Sequence, residues 1–149
     1  MPYFLTFKGI TKEQLDPNLV GGKACALVRL YQEGFPVPEG FVMTIDFFDS
    51  FSKENISIEF SDEDIGTIHN YIDACSPRGL VAVRSSASVE DSSKQSFAGQ
   101  FDSFLNVNRD HVSDVSEAVK KCWQSLHSAR AEGYAQSKND KKWRSWFKT

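Results

Sequence analysis

The stretch from Leu80 to Val107, LVAVRSSASVEDSSKQSFAGQFDSFLNV, limits the fold of this chain more than any other. Leu80, Val81, Ala82 and Val83 form an unbroken apolar run that stops at Arg84, and such a run predicts a strand buried on both faces. A cation is thereby delivered at a strand end. Ser85 and Ser86 follow, and after a polar segment come Ser96, Phe97, Ala98, Gly99 and Gln100, where glycine lets backbone approach a ligand closely. Phe101, Ser103, Leu105 and Val107 then alternate with Asp102, Phe104 and Asn106, the pattern of a second strand. The whole reads as strand, polar loop, strand, with a loop able to hold phosphates. Spacing alone is better served by the plainer alternative, in which Arg84 is a surface ion-pair residue and Gly99 an ordinary hairpin glycine.

Gly21 and Gly22 immediately precede Lys23, and from Ala24 the apolar residues Ala24, Leu27, Val28 and Tyr31 recur at helical spacing until Gly34. Lys23 therefore stands at a helix start. The N–H groups and dipole of that end favour anions, the glycines allow close approach, and the ammonium adds a mobile charge. The spacing GxxxxGK[ST] is absent, so this is no Walker A loop, and Ala24 offers no hydroxyl to a magnesium ion. By itself, GGK suits a solvated lysine after a flexible turn.

The remaining chain supplies the frame. Tyr3 to Phe7 predicts a strand with Tyr3, Leu5 and Phe7 on one face, and Thr11 to Asn18 a polar connection. After the proline-rich FPVPEGF, Phe41 to Met43 predicts a short strand. Thr44 then caps a helix to about Lys53 whose Ile45, Phe48 and Phe51 face inward. Ser61 and Asp64 make a capping box for a helix carrying Ile65, Ile68, Ile72 and Cys75. A long last helix starts between Asn108 and Ser113, with Val112, Val115, Val119, Cys122 and Leu126 as its apolar stripe.

Composition narrows the function classes. The 149 residues, 40% hydrophobic and 25% charged, suit one globular domain, and a formal charge of -3 gives no support for a nucleic-acid-binding surface. No apolar run reaches the ~20 residues that span a bilayer, and MPYFLTFKGI lacks the layout of a signal peptide, which points to a cytoplasmic protein with no membrane contact. Cys25, Cys75 and Cys122 are odd in number and form no CxxC, so they read as buried thiols. His69, His111 and His127 show no metal-ligand spacing. Glu90 with Asp91 reads as a solvated bend or a helix start, with Ser88 as a cap, and not as a magnesium site.

The two segments VAVRSSASVEDSSKQSFAGQFDSFLNV and GGKACALVRLYQEGFPVPEGFVMT, in this order and at this distance, resemble the amino-terminal nucleotide-binding module of the phosphoenolpyruvate synthase and pyruvate phosphate dikinase family, which rifamycin phosphotransferases share. The resemblance runs from about Leu19 to Tyr134. It implies an α+β fold, the N-terminal lobe of a partial ATP-grasp-like module, with a mixed sheet and helices over residues 1–138; residues 139–149, a basic and aromatic tail, fall outside the family pattern and are expected to be poorly ordered. It also implies ATP as ligand, with Lys23, Arg84, Ser96, Gly99 and Gln100 as its binding residues and Arg84 as the catalytic one. Family glycine, glutamine and threonine positions are occupied here by Ala24, Phe101 and Ser103.

Magnesium accompanies ATP in this family, on acidic ligands from a second half of the module, and the phosphorylated histidine lies in a separate domain. Neither has a counterpart here, so no metal ligand is assigned. The chain is expected to be an N-terminal portion of an ATP-dependent phosphotransferase acting towards pyruvate, an antibiotic or another acceptor, with a second chain able to carry the rest of the module. The alternative, from another class, is a non-catalytic module that binds a partner chain or a regulatory nucleotide.

Overall fold

The computed structural model describes residues 3–52, 59–76, 79–86 and 103–136, with 52, 112 and 126–136 described by their backbone course. The elements run β1 (Phe4–Thr6), α1 (Pro17–Val20), α2 (Gly22–Gln32), β2 (Phe41–Met43), α3 (Ile45–Ser52), α4 (Asp62–Cys75), β3 (Leu80–Arg84), β4 (Ser103–Asn108) and α5 (Val112–Gln136). This is an α+β arrangement. Among the described residues the expected mixed sheet is replaced by two antiparallel pairs, β1 with β2 and β3 with β4. Strands β1 and β2 are only three residues long, and helices pack between the two pairs.

Helix α2 lays Ala24, Cys25 and Val28 on the face of β1 and β2 that carries Leu5 and Val42, and Phe7, Ile10 and Val20 complete this cluster. Val28 is wholly buried, worth roughly 1.5–3 kcal/mol relative to an exposed side chain. On the other face of the same small sheet, Phe4, Phe41 and Met43 meet Ile68 and Ile72 of α4 and Val115 of α5, and Val81 and Val107 reach this cluster from the second sheet. Successive strand residues point to opposite faces, so β1 links both clusters. Tyr3, expected on the same face as Leu5 and Phe7, is exposed while those two are buried, and its ring lies 5.3 Å from that of Phe47.

Helix α4 begins as its sequence predicts. The Ser61 hydroxyl accepts from the Asp64 N–H at 3.1 Å, and the Ser61 N–H donates to the Asp64 carboxylate at 2.9 Å. The short helix α1 starts at the end of the expected polar connection and runs beyond it: the Asp16 carboxylate accepts from the Asn18 N–H at 2.8 Å, and Pro17 opens the turn. On α3 the buried residues are Phe47 and Phe48, while Ile45 and Phe51 are half-buried. The expected Phe48 and Phe51 do face the core, with rings 5.2 Å and 5.8 Å from that of Trp123, and Phe47 joins them at 5.7 Å.

The β3 strand is not buried on both faces. Val81 and Val83 turn towards the helices, whereas Leu80, Ala82 and Arg84 are exposed, Leu80 by 58%. The regular alternation expected for β4 is also broken. Val81 pairs with Val107 and Val83 with Phe104, so β4 carries one extra residue, and Asn106 sits at φ 58°. This is a β-bulge using a residue type that tolerates the left-handed region. Phe104 and Val107 are consequently half-buried, as is Asn108 at the strand end, and Ser103, Leu105 and Asn106 face outward. At the far end of the hairpin the Arg109 guanidinium donates to the Ser76 carbonyl and to Asp73, tying the β4–α5 turn to the end of α4.

Candidate functional site

Lys23 is the second residue of α2 and is exposed at its first turn. Arg84 is the last residue of β3, opposite Ser103, and is also exposed. The two turns meet through Ser86. Its hydroxyl accepts the Ala24 N–H at 2.8 Å and donates to the Val20 carbonyl at 2.7 Å. Ala24 adjoins Lys23, and Arg84 lies two residues before Ser86, at most about 7 Å of extended chain. One side chain therefore holds the strand end bearing Arg84 against the helix start bearing Lys23.

Gly21 makes this junction possible. It lies at φ 81°, ψ 159°, a conformation reserved almost entirely for glycine. A Cβ at this position would overlap the Ser86 carbonyl oxygen and hydroxyl. The expectation that the Gly21–Gly22 pair opens the helix start to a ligand is thus corrected at Gly21, whose bare face is filled by protein backbone. At the third N–H of α2, Ser86 takes the place that a capping side chain at Gly21 would occupy.

Of the other sequence-predicted binding residues, Ser96, Gly99 and Gln100 lie outside the described residues, as do Glu90 and Asp91. Ser86 is the residue that sequence reasoning missed; its signal was its place in the Arg84-Ser85-Ser86 run. A groove of about 340 Å³ runs between β4 and α5, lined by Leu105, Asn108, Asp114, Glu117 and Lys121 among others. Neither Lys23 nor Arg84 borders it, so it is separate from the junction.

The thiols and imidazoles stand apart from these turns in role. None of the three cysteines is in a disulfide; Cys25 and Cys122 are buried as expected, while Cys75, the last residue of α4, is only half-buried. Burial pushes the Cys25 and Cys75 thiols above the usual range. His111 Nδ1 lies 3.3 Å from the Asp114 carboxylate, and the side chain of His127 lies outside the described residues. Among the described residues no three His, Cys, Asp or Glu side chains gather where they could hold a metal ion. No helix among them is long and apolar enough to cross a membrane.

Fold and geometry together make this an α+β domain in which two cation-bearing turns are joined by one serine. Residues 56–143 match the pyruvate phosphate dikinase AMP/ATP-binding domain, and the chain belongs to that family. It is 34% identical to a probable phosphoenolpyruvate synthase of Methanothermobacter thermautotrophicus, over 92% of this chain and 25% of that protein. It is 35% identical to the phosphoenolpyruvate synthase of Aeropyrum pernix, over 87% of this chain and 20% of the relative. To the rifampicin phosphotransferase of Bacillus cereus the identity is 30%, over 89% of this chain and 18% of the relative. The chain thus spans a quarter or less of the length of these curated relatives. The family match includes Arg84 and begins after Lys23. The 92% alignment leaves out only about a dozen residues and so includes both.

Proposed function

We propose that this chain supplies part of the phosphate-binding wall of an ATP site in an ATP-dependent phosphotransferase of the phosphoenolpyruvate synthase type, as the N-terminal lobe of an ATP-grasp-like module. Lys23 and Arg84 contact the nucleotide phosphates, and the loop with Ser96, Gly99 and Gln100 lies over them. The observation that carries this function is the Ser86 junction, which draws the turns bearing Lys23 and Arg84 together across more than sixty residues of sequence. A guanidinium offers a planar fork to two phosphate oxygens, and an ammonium a charge that can follow them. Fixed cations at a transferring phosphoryl group stabilise the charge that spreads over its oxygens, which is the catalytic role assigned to Arg84.

Magnesium would neutralise charge between phosphates when bound, but no described group of side chains fits it. The outer face of the β3–β4 pair, with Leu80 58% and Leu105 63% exposed, supports placing the remaining polypeptide of the nucleotide module against this lobe, including as a second chain.

Calorimetric titration of the purified chain with ATP tests the site. The expected affinity is weak, on the order of -5 kcal/mol, because exposed charge pairs are worth only ~1 kcal/mol at 4 Å in water. Lys23→Ala and Arg84→Ala should each weaken it, and added salt should weaken it further. A folded chain that gives no heat with ATP, or the same affinity in both variants as in the parent, would overturn the assignment.

A further inference from the structure

We propose that Ser86 is a positioning residue of the phosphate site, a helix cap supplied from 62 residues away that fixes Lys23 relative to Arg84. The assignment of phosphate contact to those two cations rests on the function proposed above; the cap itself rests on geometry alone. A helix start leaves its first N–H groups without intrahelical partners, and a side-chain oxygen at the N-cap residue ordinarily accepts one of them. Here the N-cap residue is Gly21, which has no side chain. The hydroxyl that serves the Ala24 N–H belongs instead to Ser86.

The same hydroxyl gives its one proton to the Val20 carbonyl, at the end of α1. A serine hydroxyl has a single donor, so this donation commits it, and Ser86 holds the protein together instead of donating to a ligand. Its two bonds close on Val20 and Ala24, the residues either side of the Gly21–Lys23 turn. Gly21 lacks the Cβ that would push the Ser86 backbone away. Three features therefore act as one device: a glycine in a conformation closed to other residues, a hydroxyl saturating two helix ends, and a strand end that delivers Arg84 two residues earlier.

Such a device couples the two cations. When the cap is broken, the first turn of α2 loses its tie to the strand end, and Lys23 is no longer held at a set distance from Arg84. Amide hydrogen exchange of the parent chain, Ser86→Ala and Ser86→Thr reads this without any ligand. In Ser86→Ala the Ala24 amide should exchange at least tenfold faster while Ile68 and Ile72 of α4 keep their protection; Ser86→Thr, which retains the hydroxyl, should restore it. Unchanged exchange at Ala24 in Ser86→Ala, or equal acceleration throughout α4, would overturn the proposal.

ATP titration supplies the functional arm. Lys23→Ala should lower affinity severalfold in the parent background but less than twofold in Ser86→Ala, whereas Arg84→Ala should act in both. An equal loss for Lys23→Ala in the two backgrounds would defeat the positioning role even if the cap exists. If the parent chain binds no ATP, the phosphate assignment fails. The cap is then judged by exchange alone, where Ser86→Ala must accelerate residues 22–24 together to sustain it.

Discussion

Replacing Gly21 with alanine should damage this chain far more than the same change at its other glycines of positive φ. At φ 81°, ψ 159°, a residue with a Cβ costs roughly 1–3 kcal/mol. The new methyl group would also meet the Ser86 carbonyl oxygen and hydroxyl. That loop must then retreat, and the bonds at 2.8 Å and 2.7 Å go with it, about 0.5–1.5 kcal/mol each. The sum is roughly 2–6 kcal/mol, a large part of a typical domain's stability. Gly34 and Gly79 lie at φ 84° and 90° with nothing within 4 Å of an added Cβ, so alanine there should cost only the backbone part, about 1–2 kcal/mol.

Urea unfolding followed by circular dichroism gives the ordering, and a double-mutant cycle gives the cause. Ser86→Ala should cost ~1–3 kcal/mol in the parent chain, as the loss of two hydrogen bonds, and close to nothing once Gly21→Ala has displaced the loop. Equal midpoint shifts for Gly21→Ala and Gly34→Ala, or the same Ser86→Ala cost in both backgrounds, would refute the reasoning.

Two further outcomes are expected. Arg109→Ala removes the guanidinium that bonds Asp73 and the Ser76 carbonyl and should destabilise the chain by about 1.5–3 kcal/mol. Asp73→Asn should cost less, because Asp73 is 58% exposed and its pairing is weakened by solvent; urea midpoints decide, and equal costs would contradict this division. Under native conditions a thiol alkylating agent should modify half-buried Cys75 first and reach Cys25 and Cys122 only through unfolding, since those two are 4% and 3% exposed. Raising the pH should speed the Cys75 reaction, because burial holds its thiol above the ordinary value and the thiolate is the reacting form. Peptide mass spectrometry would show the order, and early labelling of Cys25 would contradict the packing of α2.

What was legible in the sequence was what is local. The capping box at Ser61 and Asp64 spans three residues, and the spacing of Ala24, Val28 and Tyr31 is internal to one helix, so both helices follow from short-range rules. Helix α1 has too few residues to show a period, and only Asp16 before Pro17 marks it. The apolar run Leu80 to Val83 is compatible with one covered face or two, and the neighbours that decide are distant in sequence. The bulge in β4 left a signal in Asn106, a residue type suited to positive φ, but alternation across it looked regular. The candidate cations were legible through the family motifs and not through spacing. Their junction was not, because nothing local to Ser86 says that its partners are Val20 and Ala24.

The Ser86 bonds join positions 62 and 66 residues apart, and that separation sets when they form. Closing a loop of this length costs on the order of 4 kcal/mol in chain entropy before any bond repays it. Helices α2 and α4 need only short-range contacts and can form early, whereas non-local closures are the slow part of folding. During synthesis Lys23 leaves the ribosome well before Arg84 and must wait for it. A newly made or partly opened chain would therefore carry both charges without the geometry that relates them, and its affinity for anions should rise in step with the slowest folding phase, after most of the helix content is in place.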